Sequence, residues 1–292
     1  MRWRDMRQSG NIEDRRGASP GGFGMGGLGG GGVGGGGIRM GGGMGLGGLL
    51  LVILVAWLFG ANPLSLLSPD SGEYAGEPVT PGLSPNADEA SQMVSRVLGD
   101  TEDTWKGIFR SEGLSYPETT LVLFNDEVAS ACGGASSATG PFYCPRDRKV
   151  YIDLSFFRDL DRRFGAPGDF AQAYVVAHEV GHHVQNVLGV LSSPAGMTRV
   201  EANAQSVQQE LQADCLAGMW GNSTGGRNLL EPGDVEEGLR AAAAIGDDRI
   251  QRSTQGRVVP ESFTHGSSAE RVAALRRGLQ SSSLAGCGLR PR

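Results

Sequence analysis

One stretch of this 292-residue chain limits what it can fold into more than any other: residues 21–48 hold 19 of its 48 glycines. Glycine loses more conformational entropy on ordering than any other residue and has no side chain to bury. No Gly-x-y period runs through the stretch, so a collagen triple helix is excluded. The stretch therefore predicts a flexible arm that stays apart from the core formed by the rest of the chain.

An unbroken apolar run, Leu49–Phe59, follows the glycine-rich stretch. No charged residue occurs between Arg39 and Asp70, so residues 46–67 are long and apolar enough to cross a bilayer about 30 Å thick. The alternatives are a buried core helix and the apolar part of a cleaved signal peptide. Low-complexity sequence on both sides disfavours a core helix, and the long preceding arm disfavours a cleaved signal. The run predicts a single transmembrane helix.

Charge and composition predict how the chain is divided around this anchor. Residues 1–45 are basic and then glycine-rich, which indicates a disordered arm on the cytoplasmic side of the cell membrane. Residues 68–85, rich in Pro, Ser and Gly, indicate a linker. Residues 86–292 are then a folded domain in the periplasm or outside the cell. The chain is acidic after Asp70, which argues against nucleic acid as a partner.

Periodicity and capping signals after residue 86 predict an α+β domain, because β-rich stretches at 119–124 and 149–154 precede most of the helices. Helices are expected at 86–111, 155–164, 169–188, 199–220, 234–246 and 267–280. Capping pairs mark four of their starts, at Asn86/Glu89, Asp169/Gln172, Thr198/Glu201 and Ser267/Glu270.

The segment His178-Glu179-Val180-Gly181-His182 carries the H-E-x-x-H pattern. Residues four apart share one face of a helix, so both imidazoles can reach one Zn²⁺ ion. Glu179 lies about 100° round the helix from His178, where it can border the metal and accept a proton from bound water. The alternative, a helix with surface histidines, is disfavoured by the apolar residues around the motif. The pattern predicts a catalytic zinc site.

Two histidine ligands require a third protein ligand. Glu210, 28 residues after His182, is the best candidate, because a carboxylate from a second helix completes a His₂Glu site. Asp214 shares the face of Glu210 and can accept the free ring N–H of a zinc-bound histidine. Taken alone, such an acidic pair is usually a solvated helix face. His183 points elsewhere on its helix and is expected to face solvent.

The four cysteines predict two disulfides, because a domain in an oxidising compartment usually pairs its cysteines. Cys132 and Cys144 enclose a short glycine-rich loop, which favours pairing them and leaves Cys215 with Cys287. Four cysteines allow three connectivities, so the other two stay open. A zinc site of four cysteines lacks its usual close pairs.

Together these residues resemble a known family. The H-E-x-x-H helix followed by Glu210-Leu211-Gln212-Ala213-Asp214 resembles the gluzincins, in which the first Glu is the base and the second is the third ligand. The stretch from Cys132 to Arg277 is more closely similar to the bacterial neutral zinc metallopeptidases. Its further marks are Gly140–Pro145, Val150–Leu154 and Ser262–Ser267. The resemblance implies a zincin-like domain, a small sheet with active-site helices, that holds one Zn²⁺ ion and takes a protein or peptide substrate.

Two further expectations follow from the resemblance. Thr264-His265 with the downstream Arg271 resembles a pair that lies near the metal in membrane-associated gluzincins and assists the oxyanion. The alternatives are a loop histidine beside a helix cap and a structural ion-pair arginine. The strand Tyr151–Leu154 is expected to be an edge strand that holds extended substrate, as in zincins, and an internal strand is the alternative.

The sequence as a whole predicts a membrane-anchored zinc endopeptidase in which Glu179 is the general base for a zinc-activated water. One alternative is a catalytically silent, zinc-stabilised binding or assembly module of the cell envelope. The presence of Glu179 argues against it, because a purely structural zinc site needs no base. Hydrolysis of a non-peptide amide is a third possibility.

Overall fold

The computed structural model describes residues 1–17, 82–83, 87–191 and 196–290. They belong to one unit formed by Met1–Pro20 together with Pro78–Arg292. The predicted transmembrane helix at 46–67, and most of the predicted arm and linker, lie outside the described residues. Within the described part of the chain, no helix is both long enough and apolar enough to cross a membrane.

A four-stranded mixed sheet forms one layer of this unit, in the order β1-β2-β6-β5, and β3 and β4 form a separate hairpin. The strands are β1 (Ile12–Asp14), β2 (Thr120–Phe124), β3 (Glu127–Ser130), β4 (Gly133–Ser136), β5 (Phe142–Cys144) and β6 (Lys149–Asp153). β1, β2 and β6 are parallel, whereas β5 is antiparallel to β6. Successive residues of β2 and β6 are buried, as is usual for parallel strands covered on both faces.

Strand β6 pairs with β2 along its whole length, but β5 covers its other side only at residues 149–151. The expectation that Tyr151–Leu154 is an edge strand is therefore wrong at Tyr151, whereas Ile152 and Asp153 have no partner strand on that side among the described residues. At residues 142–144 the edge on this side is β5, whose Phe142 stacks on Tyr151 with the ring centroids 4.8 Å apart. A three-residue strand is too short for its periodicity to be recognised in the sequence.

Seven α-helices are described, and they confirm the α+β class. They are α1 (Glu89–Ser111), α2 (Ser155–Arg162), α3 (Asp169–Val187), α4 (Arg199–Gly226), α5 (Asp234–Ala244), α6 (Asp247–Gln255) and α7 (Ser268–Leu279). The predicted capping boxes Thr198/Glu201 and Ser267/Glu270 are both formed. Helix α1 begins later than expected, because Asp88 caps it by accepting a hydrogen bond from the Ser91 N–H at 2.9 Å.

Helix α3 is buried along most of its length and packs against α1, α4 and α5. Phe170 near its start stacks on Trp220 of α4, with 5.6 Å between ring centroids. Helices α4 and α7 also touch closely: a Cβ atom at Gly278 would lie 1.9 Å from the carbonyl oxygen of Cys215, so only glycine permits this approach. This packing fixes α3 and α4, the helices that carry the predicted ligands, side by side.

Residues 1–17 are folded into the unit, in contrast to the expectation of a disordered arm over 1–45. Trp3 and Met6 are buried, and Ile12–Asp14 form strand β1 beside β2. A Cβ atom at Gly99 of α1 would lie 2.3 Å from the carbonyl oxygen of Arg7, so this segment lies directly on α1. The sequence did not reveal this, because the segment is short and polar and is followed by a long glycine-rich stretch.

Both predicted disulfides are present. Cys132–Cys144 joins the β3-β4 hairpin to β5. Cys215–Cys287 joins α4 to the turn Leu284–Cys287 near the end of the chain. Because Cys215 lies five residues after Glu210, this bridge braces the helix that supplies the predicted third ligand.

Candidate metal centre

The three predicted ligands meet between α3 and α4. One ligand atom from each of His178, His182 and Glu210 lies within 4.8 Å of the others. The Nε2 atom of His178 is 3.1 Å from Glu210 Oε2, and the Nε2 atom of His182 is 3.4 Å from Glu210 Oε1. Two atoms bound tetrahedrally to Zn²⁺ at about 2.0–2.1 Å are about 3.3 Å apart. The donor set and its spacing therefore fit a zinc ion.

Gly181, inside the H-E-x-x-H motif, allows α3 to approach the backbone of α4. A Cβ atom at this position would lie 3.0 Å from the carbonyl oxygen of Ala213 and 3.2 Å from its Cα. The two helices therefore meet at Gly181 and Ala213, three residues beyond Glu210. This approach brings the carboxylate within reach of both histidines.

Buried groups behind His178 fix the orientation of its ring. Its Nδ1 atom lies 2.8 Å from Asp214 Oδ1, the contact expected from the sequence. The same carboxylate accepts hydrogen bonds from the Tyr174 hydroxyl at 2.5 Å and from Arg271 Nε at 2.9 Å. With Nδ1–H donating to Asp214, the Nε2 lone pair is free to bind a metal.

The electrostatics of these groups favour a cation between them. Burial acts to raise the pKa of Asp214, but the charges of Arg271 and His178 outweigh it and lower that pKa to about 2. Burial acts to lower the pKa of His178, but Asp214 and Glu210 outweigh it and raise that pKa to about 10. The pKa of Glu210 is held well below its usual range against its burial, chiefly by the charge of His182. The carboxylates are thus ionised beside the two imidazoles.

His182 is held by a different partner, Gln185. The Nδ1 atom of His182 lies 2.9 Å from Gln185 Oε1, so its N–H donates to the amide oxygen. The Gln185 amide nitrogen donates to the backbone carbonyl of Gln209 at 2.8 Å and to Gln212 Oε1 at 3.0 Å, both on α4. This chain of hydrogen bonds fixes the ring relative to the second ligand helix.

Sequence reasoning missed Gln185 and Tyr174, although helical spacing carries a signal for both. Tyr174 lies four residues before His178, and Gln185 lies three residues after His182. Residues at these spacings are neighbours on a helix surface. Polar side chains there were therefore candidates for contact with a ligand imidazole.

Glu179 lies beside the ligands but is not one of the clustered set. It is 6% exposed, and no group in the described part of the chain donates a hydrogen bond to its carboxylate. Burial raises its pKa, and the charges of His178 and His182 only partly oppose this. Its oxygens are not among the fully buried side-chain atoms that lack a hydrogen-bond partner, so the carboxylate keeps some access to solvent beside the ligands.

Arg271 lies behind His178, buried at the start of α7. Besides its contacts with Asp214, it donates to the Tyr174 hydroxyl at 3.1 Å and to the carbonyl of Ile245 at 3.3 Å. This location favours the structural ion-pair alternative over a direct contact with an oxyanion. Its effect on the centre passes through Asp214 and His178.

His265 lies in a loop held by Asp247 at the start of α6, a residue that sequence reasoning missed. Asp247 Oδ2 accepts hydrogen bonds from the backbone N–H groups of Thr264, His265 and Gly266 at 2.7, 2.7 and 3.1 Å. Asp247 Oδ1 lies 3.4 Å from His265 Nδ1, and this interaction together with the charge of Glu210 raises the pKa of His265. The imidazole side chain is 53% exposed.

The same loop packs on α4 next to the third ligand. A Cβ atom at Gly266 would lie 3.2 Å from Leu211 Cδ2, and the Ser206 hydroxyl donates to the carbonyl of Thr264 at 2.8 Å. Leu211 follows Glu210 directly. The structure therefore brings a half-exposed His265 to the neighbourhood of the metal centre.

The expectation that His183 faces solvent is wrong. The ring is fully buried, its Nε2 lies 2.7 Å from the carbonyl oxygen of Pro117, and its Nδ1 lies 3.0 Å from the Tyr143 hydroxyl. The Tyr143 hydroxyl also accepts a hydrogen bond from Asn186 at 2.8 Å. Burial lowers the pKa of His183, consistent with a neutral ring that joins α3 to β5.

Comparisons with known proteins give a consistent result. A family model described as "Putative neutral zinc metallopeptidase" matches residues 1–289. "Uncharacterized protein YpfJ" of Escherichia coli K12 is 47% identical over 296 residues, which cover 98% of each chain. "Uncharacterized protein Rv2575" of Mycobacterium tuberculosis H37Rv is 42% identical over 244 residues, 77% of this chain and 81% of the relative. No solved structure matches the chain. The chain belongs to the neutral zinc metallopeptidase family.

Proposed function

We propose that this protein is a zinc-dependent endopeptidase attached to the cell membrane. One observation carries the catalytic part: a buried, unpartnered carboxylate, Glu179, stands beside three donors whose spacing fits one zinc ion. A structural zinc site is normally closed by four protein ligands, whereas a catalytic site has three and one open position. Three clustered donors and an adjacent base match the catalytic type.

His178, His182 and Glu210 hold the metal in this proposal. A bound Zn²⁺ ion would polarise the scissile carbonyl and lower the pKa of a water molecule at the site. Glu179 accepts a proton from the attacking water as the carbon–oxygen bond forms. It then returns this proton to the amide nitrogen as the carbon–nitrogen bond breaks. The raised pKa of Glu179 makes it a better proton acceptor near neutral pH than an exposed glutamate.

His265 is proposed to assist the reaction from the loop beside α4. An imidazole N–H directed at the carbonyl oxygen stabilises the negative charge that develops there. Asp247 favours the charged form of the ring, because it raises the pKa of His265, and it holds the loop by binding three successive backbone N–H groups. Arg271 has a positioning role, since it contacts Asp214 and Tyr174 and not the open side of the centre.

The proposal is tested with purified protein, unfolded casein and a metal chelator. We expect cleavage that the chelator abolishes and that added Zn²⁺ restores. Zinc that raises the melting temperature without any cleavage would instead support the silent binding module. A small-molecule amide hydrolysed while casein remains intact would overturn the assignment of a protein substrate.

The third ligand is tested separately by metal analysis. Glu210→Ala removes one of three donors, so we expect zinc content well below one ion per chain after dialysis. Gln208→Ala is the matched control, because Gln208 lies exposed on the same helix. Equal zinc content in the two variants would remove Glu210 from the ligand set.

A further inference from the structure

Described residues from the two sides of the segment 18–81 lie next to each other at one edge of the sheet. Strand β1 pairs with β2, with Ile12 opposite Leu121. On the other side of β1, the Gly82 N–H donates to the carbonyl of Ile12 at 2.7 Å, and Gly82 forms a bridge with Glu13. Residues 13 and 82 are therefore neighbours at about the 4.8 Å spacing of adjacent strands. All of residues 18–81 lie between these two points of the chain.

Residues 1–17 form specific hydrogen bonds with the rest of the unit. The Trp3 Nε1 atom donates to Asp169 Oδ2 at the start of α3, at 3.0 Å. The Ser9 N–H donates to the carbonyl of Ser95 at 3.1 Å, and its hydroxyl donates to the buried Glu102 carboxylate at 2.6 Å. Without residues 1–17, Glu102 and the edge of β2 would lose these partners.

The two disulfides indicate which compartment the unit occupies. Cys132–Cys144 and Cys215–Cys287 use all four cysteines of the chain. Disulfides persist outside the cytoplasm and are rare within it. The body that contains them, and with it residues 1–17, belongs on the oxidising side.

We propose that residues 1–17 and the body from Gly82 onward lie on the same, non-cytoplasmic side of the membrane. A single crossing would separate β1 from β2 by a bilayer about 30 Å thick, and their hydrogen bonds would be impossible. The arrangement expected from the sequence, with residues 1–45 in the cytoplasm and the folded domain outside, would place β1 and β2 on opposite sides.

This inference rests on the proposed membrane attachment but not on catalysis, so it is tested without an activity assay. Gln8→Cys and Gln255→Cys each place one free thiol at an exposed position, one in the segment before Gly17 and one in the body. In intact cells with a permeabilised outer layer, a membrane-impermeant maleimide is expected to label both variants. A membrane-permeant maleimide is the control for thiol reactivity.

Labelling of Gln255→Cys but not of Gln8→Cys before lysis would overturn the proposal, as would protection of both. Recovery of the protein in the soluble fraction would overturn the attachment on which it rests, independently of peptidase activity.

A second variant tests the contact itself inside cells. Ser9→Cys combined with Ser95→Cys places two thiols where the Ser9 N–H donates to the Ser95 carbonyl at 3.1 Å and the Ser95 hydroxyl donates to the Ser9 carbonyl at 3.1 Å. We expect peptide mapping to find this bridge in addition to the two native disulfides. Gln8→Cys with Ser95→Cys is the control, because Gln8 is exposed and should not bridge. Native disulfides without the new bridge would contradict the proposal.

Discussion

At the scale of single residues, the centre depends on one buried carboxylate, Asp214, that binds Tyr174, His178 and Arg271. It accepts the ring N–H of His178 on one oxygen and two hydrogen bonds from Arg271 across both oxygens. Asp214 and Arg271 are 0% and 3% exposed. Breaking a buried ion pair by removing one partner leaves the other charge without compensation.

Arg271→Met should therefore destabilise the protein by about 3–5 kcal/mol and weaken zinc binding, because Asp214 loses its cation and holds His178 less well. Arg276→Met is the matched control, since Arg276 is exposed on the same helix and its loss should cost at most about 0.5 kcal/mol. Denaturant unfolding with a zinc titration checks both. A variant as stable as the control would contradict the role assigned to Arg271.

The lowered pKa of Asp214 also predicts acid sensitivity. Its folded value is about 2, below the value of about 3.9 for an unfolded aspartate. A depressed carboxylate contributes stability that is fully present above the unfolded pKa and is lost as the pH falls through the folded one. The metal-free protein should thus lose about 2 kcal/mol from this group between pH 5 and pH 2.

Urea unfolding at a series of pH values measures this loss, with Asp214→Asn as the comparison. The variant starts less stable at neutral pH and should show a shallower decline in acid. Parallel pH profiles for the two proteins would show that Asp214 does not titrate as described.

The site residues that the structure brings together as expected are those with a fixed spacing along one helix. His178 and His182 are four apart, as are Glu210 and Asp214, and each pair meets its partner across the α3–α4 contact. Asp247 had no such signal, because it reaches His265 through a fold in the chain that spacing alone does not reveal. The exposure of His183 was predicted wrongly, because the sequence does not show that β5 covers this face of α3.

At the scale of elements, the site exists because α3 and α4 lie in backbone contact at Gly181. Gly181→Ala would place a methyl group 3.0 Å from the carbonyl oxygen of Ala213, closer than ordinary contact. We expect the helices to move apart, with a loss of about 1–3 kcal/mol and weaker zinc binding. Gly107→Ala is the control, because a Cβ atom there meets nothing within 4 Å and alanine favours the helix.

Thermal unfolding and zinc affinity of these two variants check the prediction. Wild-type zinc affinity in Gly181→Ala would show that the close approach does not set the ligand geometry.

Long elements were predictable, and short ones were not. The helices that became α3, α4 and α7 have many turns of apolar periodicity and clear capping pairs, so the sequence indicated them within a few residues at most boundaries. Strands β1 and β5 are three residues each and owe their existence to pairing with β2 and β6. Helix α6 is short and polar, and its first residue is used to hold the His265 loop.

At the scale of the whole molecule, composition misplaced one boundary. The glycine-rich stretch predicted that everything before it is an arm, yet residues 1–17 complete the sheet and contact α1 and α3. The family match also includes them, since it runs from residue 1 to residue 289. A low-complexity stretch therefore does not show that the residues before it are unfolded.

The central claim is that Glu179 is the base of a zinc peptidase. The most direct measurement compares Glu179→Gln with wild-type protein for zinc content and for the rate of casein cleavage. Glutamine keeps the size of the side chain but cannot accept the proton, so zinc should stay at one ion per chain while cleavage falls by about 10²–10⁴-fold. A zinc-loaded Glu179→Gln variant that cleaves casein at the wild-type rate would contradict the account.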